Sequence, residues 1–564
     1  MNETFDQLAK DYVDQFPAFS PVSATQIGDH RFDSELDDVS EAGRLAERDF
    51  NQRFLERLES VTWDELSRDR QVDAALLENA LSYAVWRSEV LQEWAWNPLV
   101  YTQLTGGAIY GLMAREFAPL EARLNHATDR LAKMPRLFEQ IREALVPTRV
   151  PAVHAETAVR QNRGLVSILD DMVVPAMASL KESDRARLQE AMTVAREAVA
   201  LHEAWLKDKV VPVAKADFRI GAKLFDEKLR YTLETPLTRA QVKERANREF
   251  KRVREEMYEV SQRLYLKEYP HTKFPEEVSD AYQQAIIRAA LEVTYKDAPG
   301  RDEIVSSAEE QVKYANQFIK DHAIVTPATE PLEIILMPVF RRGVSFAYCD
   351  SPGPLDRGLK TYYAVSPIPE EWNETQVKSF LREYNTWSMH DLSMHEAIPG
   401  HYLQLAHSNK YPSTLRAILS SGTFVEGWAV YSERVMVDAG YLDGDDRMRL
   451  INLKWYLRGI TNAMIDQAIH VDGMTEDEAM RLMIEGGFQE EREAAGKWTR
   501  AQLTSAQLST YFVGTQEHWD LRRQVEAAWG DDFTLKTYHD KALSFGSPPV
   551  QYVKALMLDQ PIPK

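Results

Sequence analysis

One stretch limits the backbone more than any other: Met394-His395-Glu396-Ala397-Ile398-Pro399-Gly400-His401-Tyr402. A His-Glu pair followed by a second His is how helical zinc hydrolases present two imidazoles and a carboxylate, but there the two His stand four apart on one face. Here the second His is six positions on. On a regular helix six residues turn through about 600°, which leaves the imidazoles roughly 120° apart. Either the stretch holds no metal, or the helix breaks inside it. Pro399 has no N–H to return to the carbonyl of His395, and its ring crowds that turn. Gly400 tolerates backbone angles that other residues avoid. The spacing therefore predicts an irregular turn over 398–400 that brings both imidazoles back to one point.

A catalytic zinc takes three protein ligands and keeps one position open for water. His395 and His401 would supply two. The third is sought in Phe424-Val425-Glu426-Gly427-Trp428-Ala429-Val430-Tyr431-Ser432-Glu433. Glu426 and Glu433 are seven apart and share a helix face. The apolar neighbours argue against plain surface carboxylates, and Gly427 and Ala429 are small enough to let another helix approach. We read Glu426 as the third ligand and Glu433 as its outer support, with the reverse assignment open. Glu396, beside a ligand but not ligating, is the candidate general base, taking a proton from water that the metal acidifies to a pKa of about 7.

The rest of the chain bounds the setting. At 564 residues, with 44% hydrophobic and 27% charged, it is a soluble globular sequence. Its net charge of −20 argues against nucleic acid or an anionic membrane as partner. The one cysteine, Cys349, can form neither an internal disulfide nor a thiolate metal cage, and reads as an ordinary small hydrophobe. The N-terminus lacks the basic and apolar regions of a signal peptide, and no apolar run is long enough to span a membrane. Cytoplasm is the default expectation.

Helical periodicity dominates. Thr62 and Glu65 read as a capping box, as do Thr238 and Gln241 ahead of a charged helix running to about Lys267. Trp86, Trp94, Trp96 and Tyr101 read as helix-packing core, and His30 as a surface or capping residue. Only three short segments look like strands: Leu332–Met337, Val344–Tyr348 and Thr361–Val365. The expected architecture is mainly α, a large helical body with a central cleft and a small sheet preceding the metal-binding helix. Residues 1–325 form a helical N-terminal part and 326–564 a catalytic part, without a linker, as one continuous body.

His-Glu-Ala-Ile-Pro-Gly-His followed by Glu-Gly-Trp-Ala-Val-Tyr-Ser-Glu resembles the domain-of-unknown-function 885 family. The likeness extends over most of the chain, through Gly28–Asp33, Asp466–His470, Tyr511–Gly514, Tyr538–Asp540 and Gly546–Pro549. The resemblance implies a zinc metallopeptidase with a helical body similar to the carboxypeptidase Taq and oligopeptidase type. It also implies ligand roles for His395, His401 and Glu426 and the base role for Glu396. Tyr511 resembles a family position that would donate to the oxyanion. Tyr402 stands where many members have a second His, which removes position 402 from the ligands. Three further residues are weighed: Asp466 and His470, four apart, which orient a ligand, bind substrate or form a structural pair, and Arg458, which receives a substrate carboxylate or forms a salt bridge. His390 is expected near the site but outside it.

The expected activity is zinc-dependent hydrolysis of short peptides. The alternatives are a zinc amidase acting on N-acyl amino acids or isopeptides, and a binding or scaffold protein that keeps the fold without catalysis.

Overall fold

The computed structural model describes residues 1–337 and 346–564, so Val344 and Ser345 of the second expected strand lie outside the described residues. Helices account for 72% of the chain and strands for 3%, which makes the fold mainly α. The elements that matter for the site come from the second half. They are α1 (Ile304–Asp321), β1 (Leu332–Leu336), β2 (Ala347–Asp350), β3 (Thr361–Val365), α2 (Thr386–Glu396) and α3 (His401–Ser408). They continue as α4 (Gly422–Asp438), α5 (Asp446–Gln467), α6 (Glu491–Leu503) and α7 (Ser509–Trp529).

The sheet has the order β1-β3-β2, with β1 parallel and β2 antiparallel to β3. β2 is thus an edge strand, and it lies next to α2. A core of Phe346, Val365, Met394, Leu403, Trp428 and Leu521 joins sheet and helices into one packed body around the His-Glu stretch. The charged helix runs from Arg239 to Glu268, opened by the Thr238–Gln241 capping box. The Thr62–Glu65 box does not form. Those residues bound a 3-10 turn, and the helix begins at Arg68 behind Ser67, whose N–H is taken by the Asn2 side chain at 2.9 Å. The tryptophans near residue 90 are locally satisfied, the Trp94 and Trp96 indoles donating to Ser88 and Leu91 carbonyls.

The N-terminal Gly28–Asp33 motif belongs to the site's scaffold. Gly28 has φ +88°, and a Cβ there would meet the backbone N of Asp356 at 2.6 Å. Leu355 N–H donates to the Ile27 carbonyl at 3.0 Å. His30 is neither a surface nor a capping residue. It is half-buried, stacked on Phe117, and bridges Asp33 and Asp356 at 3.0 and 3.1 Å. Burial alone would lower its pKa, but the two carboxylates outweigh that and hold it up at about 9. Asp350, at the end of β2, is fastened by Tyr110 and Arg115, each at 2.6 Å. Contacts from the N-terminal third thus hold the strand that faces α2.

Candidate metal centre

α2 starts where the buried Asn385 side chain accepts from the N–H groups of Trp387 and Ser388, both at 3.1 Å. It stops at Glu396. Ala397 leaves helical geometry (φ −120°, ψ −81°), as does Gly400 (φ −72°, ψ −135°), and α3 resumes at His401. The break keeps its backbone satisfied. Ala397 and Ile398 both donate to Ser393 O at 3.1 Å, and Gly400 donates to Met394 O at 2.9 Å. The Trp428 indole pins the turn from α4 by donating to Pro399 O at 2.9 Å. Gly400 is required by close approach, because a Cβ there would stand 1.8 Å from the His395 carbonyl oxygen. The irregular turn over 398–400 is therefore present, with the backbone that the six-residue spacing demands.

It brings the two rings together, at 4.7 Å between centroids and 84° between planes. Glu426 Oε2, from α4, lies 3.7 Å from His395 Nε2 and 3.5 Å from His401 Nε2. One donor atom from each of His395, His401 and Glu426 falls within 4.8 Å of the others, a grouping able to hold a metal ion. Zinc bonds of about 2.0–2.1 Å in a tetrahedron put ligand atoms roughly 3.3 Å apart, and the spacings of 3.7 and 3.5 Å are slightly wider than that. Glu426 Oε2 is buried and has no hydrogen-bond donor among the described residues. An ionised, buried, unpaired carboxylate oxygen facing two imidazole nitrogens is a place built for a cation.

The outer partners are ordered too. His395 Nδ1 bonds Glu433 Oε1 at 2.6 Å, which leaves Nε2 pointing at the centre. This favours Glu426 as ligand and Glu433 as support over the reverse. Burial pushes Glu433 up, opposed by His395. Behind it lies Asp391, held well above the usual carboxylate range by burial and by the charge of Glu433, and accepting from Asn452 at 2.9 Å. Asp391 escaped notice in the sequence, although it stands four before His395 and therefore on the same helix face. In the absence of metal the two imidazoles hold Glu426 below the usual carboxylate range against its burial. Glu426 and Glu433 likewise hold His395 well above the usual imidazole value against its own burial.

Glu396 is 8% exposed, and its Oε2 accepts from the backbone N–H of Cys349 at 2.8 Å. That donor is a main-chain group of β2, so side-chain patterns carry no sign of it. Burial pushes the Cys349 thiol upward, consistent with a protonated small side chain. Tyr511, on α7, is half-buried. Its phenol accepts from Arg500 at 3.1 Å and is raised by burial and by the charge of Glu426.

The other candidates are not among the converging donors. Asp466 is fully buried and accepts from Ala506 N, Ser509 N and Ser509 Oγ, while His470 bonds the carbonyls of Ala501 and Thr504. Asp466 holds the start of α7 and His470 the end of α6. Arg458 pairs with Glu493. His390 bonds Tyr441 at 3.0 Å, outside the centre. The Tyr511–Gly514 motif has its own packing reason. A Cβ on Gly427 would lie 2.3 Å from the Gly514 carbonyl carbon, so α4 and α7 cross glycine to glycine and carry Glu426 inward. Tyr402 donates to the Glu330 carbonyl and takes no part in the centre.

Residues 21–557 match the family model described as "Bacterial protein of unknown function (DUF885)". A solved structure from Shewanella oneidensis, described as "a putative lipoprotein of unknown function", is 33% identical to the chain. It covers 98% of this chain and 99% of its own, with a TM-score of 0.82. A second, from Colwellia psychrerythraea and also called a lipoprotein, is 18% identical over 99% of both chains with a TM-score of 0.80, a likeness of fold. No curated protein matches the chain. Among the described residues no helix is long and apolar enough to cross a membrane.

Proposed function

We propose, from the premise that the chain belongs to the DUF885 family of bacterial proteins of unknown function, that it is a zinc-dependent hydrolase cleaving peptide bonds of short peptides. The observation that carries this reading is the convergence of His395, His401 and Glu426 on one point, with a buried carboxylate oxygen there that has no other partner. When bound, zinc supplies Lewis acidity, bringing the pKa of adjacent water to about 7 and polarising an amide carbonyl.

The chain's own residues do the rest. Glu396 sits beside a ligand, with Oε2 held by the Cys349 N–H and no other hydrogen bond among the described residues. In this reading its second oxygen takes a proton from the attacking water and hands it to the leaving amine. Glu433 fixes the His395 tautomer so that Nε2 carries the lone pair. Tyr511, whose pKa burial and the charge of Glu426 raise, serves as donor to the oxygen that gains charge.

The test is a peptide-library digest read by mass spectrometry, with zinc-loaded wild type and Glu396→Gln. The wild type should cut peptides. The variant should keep its zinc and lose turnover by about 10²–10⁴-fold. Cleavage confined to acylated single amino acids would replace the peptidase reading with an amidase one. A fully active Glu396→Gln removes the base assignment.

A further inference from the structure

Beside the metal centre lies a group of cations that the hydrolytic residues do not use. α5 contributes Arg458. α6 contributes Lys497 and Arg500, three apart on one helix face, with Glu493 one turn before Lys497. Lys497 is only 5% exposed, yet among the described residues its ammonium has no hydrogen bond and no ion pair. The contrast with the chain's other deeply buried lysine is direct: Lys454 bonds Glu383 at 2.8 Å and the Tyr295 hydroxyl at 3.1 Å. The Lys497 stem is buried while its Nζ keeps an opening to solvent, through which an anion can reach its donors.

Of its two cationic neighbours, Arg458 is under-satisfied and Arg500 is exposed to solvent. Arg458 spends one nitrogen on Glu493, but its Nη1 is buried with no acceptor. Arg500 has only neutral partners, Gln507 at 3.0 Å and Tyr511 at 3.1 Å. Among the described residues, Arg458 alone of the three cations contacts a carboxylate. Burial pushes Lys497 well below the usual ammonium value, and Arg458 and Arg500 push it further, against Glu493 and Glu426. Arg500 bonds the Tyr511 phenol at 3.1 Å, a Cβ on Gly459, next to Arg458, would lie 3.9 Å from the Tyr511 Cβ, and Gly514 on the helix of Tyr511 packs against Gly427, next to Glu426, so the group lies beside the metal centre.

Resting on the hydrolase reading above, we propose that Lys497, Arg458 and Arg500 receive the free C-terminal carboxylate of the substrate, so that the amide cleaved is the last one of a peptide. A carboxylate accepts up to about four hydrogen bonds, which matches the free donors of Lys497 Nζ and Arg458 Nη1 with Arg500 alongside. In a C-terminal residue that carboxylate is separated from the scissile nitrogen by a single Cα. A receptor adjacent to the centre therefore places the last amide at the metal and leaves internal amides without this contact.

Two measurements test it. Calorimetry on the zinc-free chain compares N-acetyl-leucine with N-acetyl-leucinamide. The acid should bind at least about tenfold more tightly, the worth of a charge-assisted bond. Lys497→Met and Arg458→Met should each remove that difference while leaving circular dichroism and thermal melting intact. Zinc-loaded protein is then given one peptide as free acid and as C-terminal amide. The acid should be cleaved at its last bond with the higher kcat/KM, and Lys497→Met should lower that value through KM. Equal binding of acid and amide, or an acid affinity unchanged by Lys497→Met, overturns the receptor. Acid-selective binding with neither peptide cleaved supports the receptor and refutes the hydrolase reading; equal cleavage of both peptides does the reverse.

Discussion

Gly400→Ala is the sharpest perturbation available, because it adds one methyl group and strikes the turn alone. The new carbon would stand 1.8 Å from the carbonyl oxygen of His395 and 2.4 Å from that of Met394. Carbon–oxygen contacts settle near 3.3 Å or beyond, so the turn must open by roughly 1.5 Å. Both obstructing atoms are backbone, and one belongs to a proposed ligand, so no side-chain rotation relieves the clash. Metal sites tolerate deviations of only about 0.2 Å from ideal bond lengths. An opening of this size therefore separates one imidazole from the ion. Losing a partner one step outside the ligands already costs about 10–100-fold in affinity. We expect zinc to bind at least about 100-fold more weakly, or above about 2.7 kcal/mol. Competition against a chromophoric chelator measures it, with circular dichroism showing that the variant is folded. Gly422→Ala, where an added Cβ meets nothing within 4 Å, is the control and should bind zinc as wild type does. Gly400→Ala binding zinc within about threefold of wild type would refute the claim that this turn builds the site.

Three further outcomes follow from the same geometry. Glu433→Ala removes the 2.6 Å partner of His395 Nδ1 and should weaken zinc by about 10–100-fold, read in the same chelator competition. Gly427→Ala places a carbon 2.3 Å from the Gly514 backbone and should destabilise the fold by about 3 kcal/mol or more, measured by urea denaturation. His30 is held at about 9 in the folded chain against 6.5 for the free side chain. A raised folded pKa means stability that is fully present below about pH 6.5 and lost as pH rises through about 9. Melting curves across that window should show a decline that His30→Gln lacks.

The chemistry at the centre was legible because it is local. His395, Glu396, Pro399, Gly400 and His401 lie within seven residues, and the mismatch between a six-residue spacing and a regular helix pointed to the turn that is there. Glu426 was legible for a different reason: a carboxylate among Phe424, Val425, Trp428 and Val430 has no solvent to face. What escaped was through-space. The N–H of Cys349 reaches Glu396 only because β2 is the sheet edge beside α2. Lys497 comes near Arg458 only because Arg458 of α5 pairs with Glu493, one turn before Lys497 on α6. Asp466 and His470 looked like site residues by spacing, yet Asp466 is spent on Ala506 and Ser509 ahead of and at the start of α7 and His470 on carbonyls at the end of α6. Helix start signals also misled at Thr62, where Glu65 closes a short 3-10 turn and the helix waits for Ser67. His30 shows the same limit, since Asp356 is 326 residues away in sequence.

The central claim is that His395, His401 and Glu426 hold a zinc ion, and elemental analysis of the purified chain by mass spectrometry tests it most directly. The account predicts one zinc per chain after equilibration with the metal, and loss of that ion in Glu426→Ala with the fold retained. Wild type that takes up far less than one zinc per chain, even with zinc added, or a Glu426→Ala variant that binds it as well as wild type, would contradict it.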